Sequence, residues 1–160
     1  SIDGADYSPT LKRRAKLALQ HWAQALAYED NIAVDQVVFP GSDAIKGMVA
    51  IVGTMIALEY LDCDVIVFSP FHVGIHDVVA GTATSHLLKD IPCYPTDEEA
   101  TLVTTVGAVL GQAIGVWRDQ MDIDTVQSLI VKGKMGVGLG IDNGDIPNML
   151  AIGDGLEKES

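Results

Sequence analysis

Four histidines, two cysteines and a scatter of hydroxyls, lysines and carboxylates are the residues of this 160-residue chain whose types suit chemistry. Two of the histidines stand four apart in Ser69-Pro70-Phe71-His72-Val73-Gly74-Ile75-His76-Asp77. On a helix that spacing puts both imidazoles on one face, where they could bind a metal. Gly74 between them weakens the helix, so no metal ligand set is expected. His76 is instead the candidate for general acid–base work or for donating to a ligand oxygen. Ser69 and His72 are its ligand-binding neighbours.

A second segment, Phe39-Pro40-Gly41-Ser42-Asp43-Ala44-Ile45-Lys46-Gly47, is a glycine turn opening a helix. Amides at a helix start attract anions, and Lys46 could add a positive charge. Gly41, Ser42 and Lys46 are therefore candidate ligand-binding residues. Asp43 is a second catalytic candidate, although Ser42 or Asp43 would equally serve as a helix cap. The spacing is not that of a P-loop. A third segment, Tyr94-Pro95-Thr96-Asp97-Glu98-Glu99, reads first as a capping box, with Thr96 also a ligand-binding candidate. A fourth carries Gly136, Gly138 and Gly140 in alternation beside Lys132 and Lys134. It reads as a glycine-rich hairpin or edge. His21 and His86 lie on the bodies of helices and read as packing or surface residues.

These segments need elements to hold them. Ser8 to Asp30 predicts a helix, with Ser8 as cap, Pro9 in the first turn and an apolar stripe Leu11, Ala15, Ala18, Leu19, Trp22, Leu26. Val34 to Phe39 predicts a strand and Asp43 to Leu61 a helix that is apolar nearly all round. Val65 to Phe68 reads as an interior strand, Gly74 to Lys89 as a weak helix and Ile91 to Tyr94 as a short strand. A helix is expected from Thr96 to about Asp119, a strand at Val126 to Val131, and one more short element within Ile146 to Ile152. Alternating β and α with uniformly apolar strands implies one α/β domain over residues 1–160, its tail glycine-rich from about Lys132. The expected architecture is a three-layer sandwich with a mostly parallel sheet. Ligands in such folds bind at the carboxyl ends of the strands.

Composition narrows the partners. Twenty-two acidic against ten basic residues give a net charge of −12. That disfavours nucleic acid and anionic membranes. Four of the basic residues, Lys12, Arg13, Arg14 and Lys16, cluster on the first helix, either as a solvated face or as a docking surface. Ala100 to Trp117 is 18 residues without a charge, near the lower limit for a membrane span, but its threonines and Gln112 favour a buried helix. Gly107, Gly111 and Gly115 on one of its faces would admit a close neighbour, either the sheet or a second subunit. Cys63 and Cys93 are too few for a disulfide framework and read as buried thiols in a reducing cytoplasm. The absence of a signal-peptide pattern agrees. The apolar excess points to a homo-oligomer.

Asp64-Val65-Ile66-Val67-Phe68, His76-Asp77-Val78, Ile91-Pro92, Thr96 and Ala100 together resemble the second half of a methylglyoxal-synthase-like domain over residues 63–104. The resemblance implies an α/β sandwich and a lyase that removes phosphate through an enediolate, with His76 handling the proton and Asp43 loosely matching a catalytic aspartate. Val79 stands where that family has a second aspartate, and its Gly-Thr-Thr-Gly phosphate loop has no counterpart here. The resulting expectation is an α/β protein binding a small anionic metabolite that bears phosphate or carboxylate, without a cofactor, with His76 as acid–base group. A non-catalytic homo-oligomeric assembly or regulatory protein is the alternative, and a methylglyoxal-synthase-like lyase is the third reading.

Overall fold

A computed structural model describes residues 4, 6–39, 41–62 and 65–118, together with the backbone of 135–139 and 149–153. The chain divides into two compact units, Ser1–Arg118 and Asp119–Ser160.

Helix α1, Pro9–Asp30, is the spine of the first unit. Ser8 caps it by accepting from the Leu11 amide at 3.1 Å. Asn31 ends it in the left-handed conformation, and the Ile32 amide returns to the Ala27 carbonyl. Of the predicted stripe Leu11, Ala15, Ala18 and Trp22 are buried, Leu19 and Leu26 are half-buried against the core, and Ala25 joins the buried face. Helix α2, Gly41–Tyr60, buries only Ala44, Gly47, Ile51 and Met55. Gly47 is a close-approach position, because a Cβ there would sit inside the Trp22 indole.

Two short parallel pairs follow. Strand β1, Ile66–Phe68, pairs with β4, Gly115–Trp117, with Val67 opposite Val116. Strand β2, Phe71–Val73, pairs with β3, Cys93–Pro95, with His72 opposite Tyr94. Ser69-Pro70 separates β1 from β2, and proline has no N–H for a ladder. The class is α/β as expected, but the described strands of the first unit form two separate pairs instead of one continuous sheet. Helices α3, Ala83–Leu88, and α4, Thr105–Ile114, pack against α1. In the second unit β5, Met135–Leu139, and β6, Met149–Gly153, form an antiparallel ladder, so Gly136 and Gly138 belong to a paired strand.

Several predicted elements are corrected. Val34 to Phe39 is no strand: Val34–Gln36 is a 3-10 turn, and no strand among the described residues offers the β-branched run a ladder. The helix expected over Gly74–Lys89 is cut by Gly81 at φ +91° and starts only after the Thr82 cap. Helix α4 begins nine residues after Thr96, capped by Thr104 accepting from the Gly107 amide. It stops at Ile114, where the chain turns into β4. Its buried Ala108, Val109 and Gly111 agree with a core helix. The neighbour at Gly111 is a ring pair, Phe71 and Trp117, supplied by the strands. Among the described residues α2 is the one helix long and apolar enough to cross a membrane. The strand expected at Val126–Val131 lies outside the described residues.

Candidate functional site

The expected site residues fall into two groups. Gly41, Ser42 and Asp43 are exposed on the first turn of α2. Lys46 Nζ lies 2.9 Å from Asp43 Oδ1, with both side chains largely in solvent. The hydrogen bond from Lys46, and then its charge, hold the Asp43 carboxyl below its ordinary range. That pairing occupies the lysine expected to receive an anion.

The second group gathers around β2 and β3. Ser69 and His72 are exposed, the His72 ring 5.9 Å from that of Tyr94. His76 is exposed on a 3-10 turn, Ile75–Val78. Thr96 is committed to structure: its hydroxyl and its amide both donate to the Val73 carbonyl, at 3.1 and 2.9 Å. Beneath them lies Asp77, 1% exposed. Its carboxylate accepts from the amides of Gly74 at 2.9 Å, Leu102 at 2.8 Å and Val103 at 3.2 Å. Asp77 thus ties the turn after β2 to the segment leading into α4. No hydrogen bond or ion pair among the described residues joins Ser42 or Lys46 to His76, and neither of the two hollows below is lined by any of the three.

A different cleft, of about 410 Å³, opens between α1, α3 and β4. It is lined by His21 and Gln24 from α1, His86 and Leu87 from α3, Asp90, Gln112 of α4, and Gly115 and Trp117. The Gln112 amide nitrogen donates to the Leu87 carbonyl at 2.8 Å, fixing that wall. The His86 ring stacks on Tyr28 at 4.3 Å, and the Lys89 ammonium stands 4.7 Å from the centre of that phenol ring. His86 Nδ1 is buried without a hydrogen-bond partner. Imidazole nitrogens are ligands for nickel, copper and zinc. No group of three or more His, Cys, Asp or Glu among the described residues is placed to hold a metal ion. His21 and His86 are 65 positions apart, so no spacing rule could have found them. A second, shallower hollow of about 570 Å³ lies along the basic surface of α1, at Lys12, Arg13 and Lys16.

Fold and cleft together define an α/β protein with imidazoles bordering a crevice. The chain belongs to the nickel insertion protein family, whose profile matches residues 1–159. A Dictyoglomus thermophilum protein described as a nickel insertion protein is 28% identical over 99% of this chain and 42% of its own length. The pyridinium-3,5-bisthiocarboxylic acid mononucleotide nickel insertion proteins of Staphylococcus saprophyticus and Staphylococcus epidermidis are 28% and 26% identical, over 88% and 94% of this chain. They are covered over 36% and 39% of their own lengths. The chain thus spans about two fifths of the curated relatives it matches. No solved structure gives a significant match.

The family corrects the methylglyoxal-synthase resemblance. The stretch 63–104 lies inside a match that runs through the chain, and the residues that suggested it have structural duties. Asp77 is saturated by backbone amides, and Thr96 is spent on Val73. The readings as a small-anion-binding enzyme, a lyase or an assembly protein are corrected by the same match.

Proposed function

We propose that this chain is part of a nickel-inserting protein, acting on Ni²⁺ and on a pyridinium-3,5-bisthiocarboxylic acid mononucleotide as its relatives are named to do. The observation that carries this is the family match over residues 1–159. Within the chain, the His21–His86 cleft is the place where nickel would pause. Two imidazoles give Ni²⁺ nitrogen ligands it prefers and leave its other positions open. A substrate with two thiocarboxylate sulfurs then out-competes the protein and takes the ion, which is what insertion requires. Gln24 and Gln112 offer hydrogen bonds to a polar substrate at the same wall. His72 on β2 and His76 on the turn after it, both exposed, are the second place in this reading for nitrogen donors. A cytoplasmic setting fits Cys93, which is a free thiol.

The test measures nickel retained by the chain in equilibrium dialysis, and nickel appearing in the mononucleotide by mass spectrometry. The chain is expected to speed transfer over buffer. The His21→Ala/His86→Ala pair should weaken retention by at least about tenfold, with an unchanged circular dichroism spectrum. Transfer no faster than in buffer would sink the function. Retention untouched in the double variant, but lost in His72→Ala/His76→Ala, would move the site.

A further inference from the structure

The cleft between α1, α3 and β4 has a lining that selects by charge. An indole, Trp117, and a carboxylate, Asp90, border it beside the two imidazoles, and none of the described residues that line it is a lysine or an arginine. An acid group alone meets no permanent positive charge there. A cation meets a carboxylate and an aromatic ring, and tryptophan is the side chain whose ring face attracts a cation most strongly. The volume, about 410 Å³, lies within the range of small-molecule sites.

The indole is held before any ligand arrives. Trp117 ends β4 and stands opposite Phe68 in the β1–β4 register. Its ring centre lies 5.2 Å from that of Phe68 and 5.0 Å from that of Phe71, the second pair edge to face. Gly111 of α4 comes so near that a Cβ there would stand 3.0 Å from the ring. The side chain is nevertheless half-buried, not buried, and what these neighbours leave uncovered is cleft wall. A ring already fixed loses little rotamer freedom when a ligand packs on it. We propose that Trp117 is a specificity-determining residue of this cleft, receiving a positively charged aromatic ring, an N-alkylated pyridinium, against its indole. The substrate class rests on the nickel reading, since the Staphylococcus relatives are named for a pyridinium mononucleotide. The preference for a charged ring rests on the cleft lining itself. Asp90 adds its carboxylate to the attraction. A ring on Trp117 keeps its thiocarboxylates in the same crevice as His21 and His86, so one site recognises the ring and brings its sulfurs to the metal.

The test needs no nickel. At pH 8, 1-methylpyridinium-3,5-dicarboxylate and pyridine-3,5-dicarboxylate carry the same acid groups and differ in the charge of the ring. In equilibrium dialysis against the 160-residue chain the methylated probe should bind at least about fivefold more tightly. It should also quench part of the tryptophan emission, the remainder coming from Trp22, which is buried against Phe39. Trp117→Leu should bring the two probes to within about twofold of each other, and Trp117→Phe, which keeps an aromatic face, should fall between, both with unchanged circular dichroism. Equal binding of the two probes by the unaltered chain overturns the proposal, and that comparison requires no variant to fold. A ring preference that survives Trp117→Leu overturns it too. Nickel retained while the probes bind equally removes the ring site and leaves the nickel reading; a Trp117-dependent ring preference without nickel transfer keeps the ring site and removes the nickel reading.

Discussion

Asp77 is the residue on which the first unit's loops depend most. A buried carboxylate is costly unless its oxygens are filled, and here three backbone amides fill them. Asp77→Ala leaves those amides without an acceptor and should lower stability by about 3 kcal/mol, read by urea denaturation. Cys93 shows the opposite effect of burial. Being half-buried, and then facing the negative charge of Asp77, its thiol titrates above the ordinary cysteine range. The fold therefore holds the neutral thiol. Its contribution is complete below the ordinary cysteine pKa and is lost as pH rises through the raised value. Iodoacetamide should alkylate Cys93 more slowly at pH 8 than it does an unstructured cysteine peptide. Alkaline loss of stability should be smaller in Cys93→Ser.

Among the elements, α2 allows the same substitution to act with opposite signs. Gly53→Ala fills open space and improves helix propensity, so it should stabilise by about 0.5–1 kcal/mol. Gly47→Ala drives a Cβ into Trp22 and should destabilise by about 1–3 kcal/mol in spite of that propensity gain. Thermal melting of the two variants side by side settles both. The elements that sequence reveals here are those with local determinants. Ser8, Pro9 and a 3.6-residue stripe are enough to specify α1. Val34–Phe39 has the composition of a strand and no strand among the described residues to pair with. Thr96 and Thr104 both precede plausible helix starts, but the Thr96 hydroxyl bonds Val73 while that of Thr104 caps α4. The His72, His76 and Thr96 neighbourhood was legible because β2 and β3 are near in sequence. The His21–His86 cleft was not, because it depends on how α1 crosses α3.

At the scale of the whole molecule, charge and modularity matter. A net charge of −12 will concentrate any divalent cation near the surface. Salt separates that atmosphere from a ligand site: nickel held by imidazoles should persist at 0.15 M ionic strength (about an 8 Å screening length), while surface-held nickel should not. Residues 1–118 form a compact unit with a core of their own. That fragment should melt cooperatively alone, whereas the β5–β6 hairpin taken by itself, a two-stranded ladder, should not. The Asp77 tether has a further consequence for motion. The amides of Gly74, three positions away, and of Leu102 and Val103, 25 and 26 positions away, share one acceptor. None can be released to solvent by fraying one loop alone. In deuterated buffer they should therefore exchange together, at one common opening rate, as a single cooperative unit that breathes around one carboxylate.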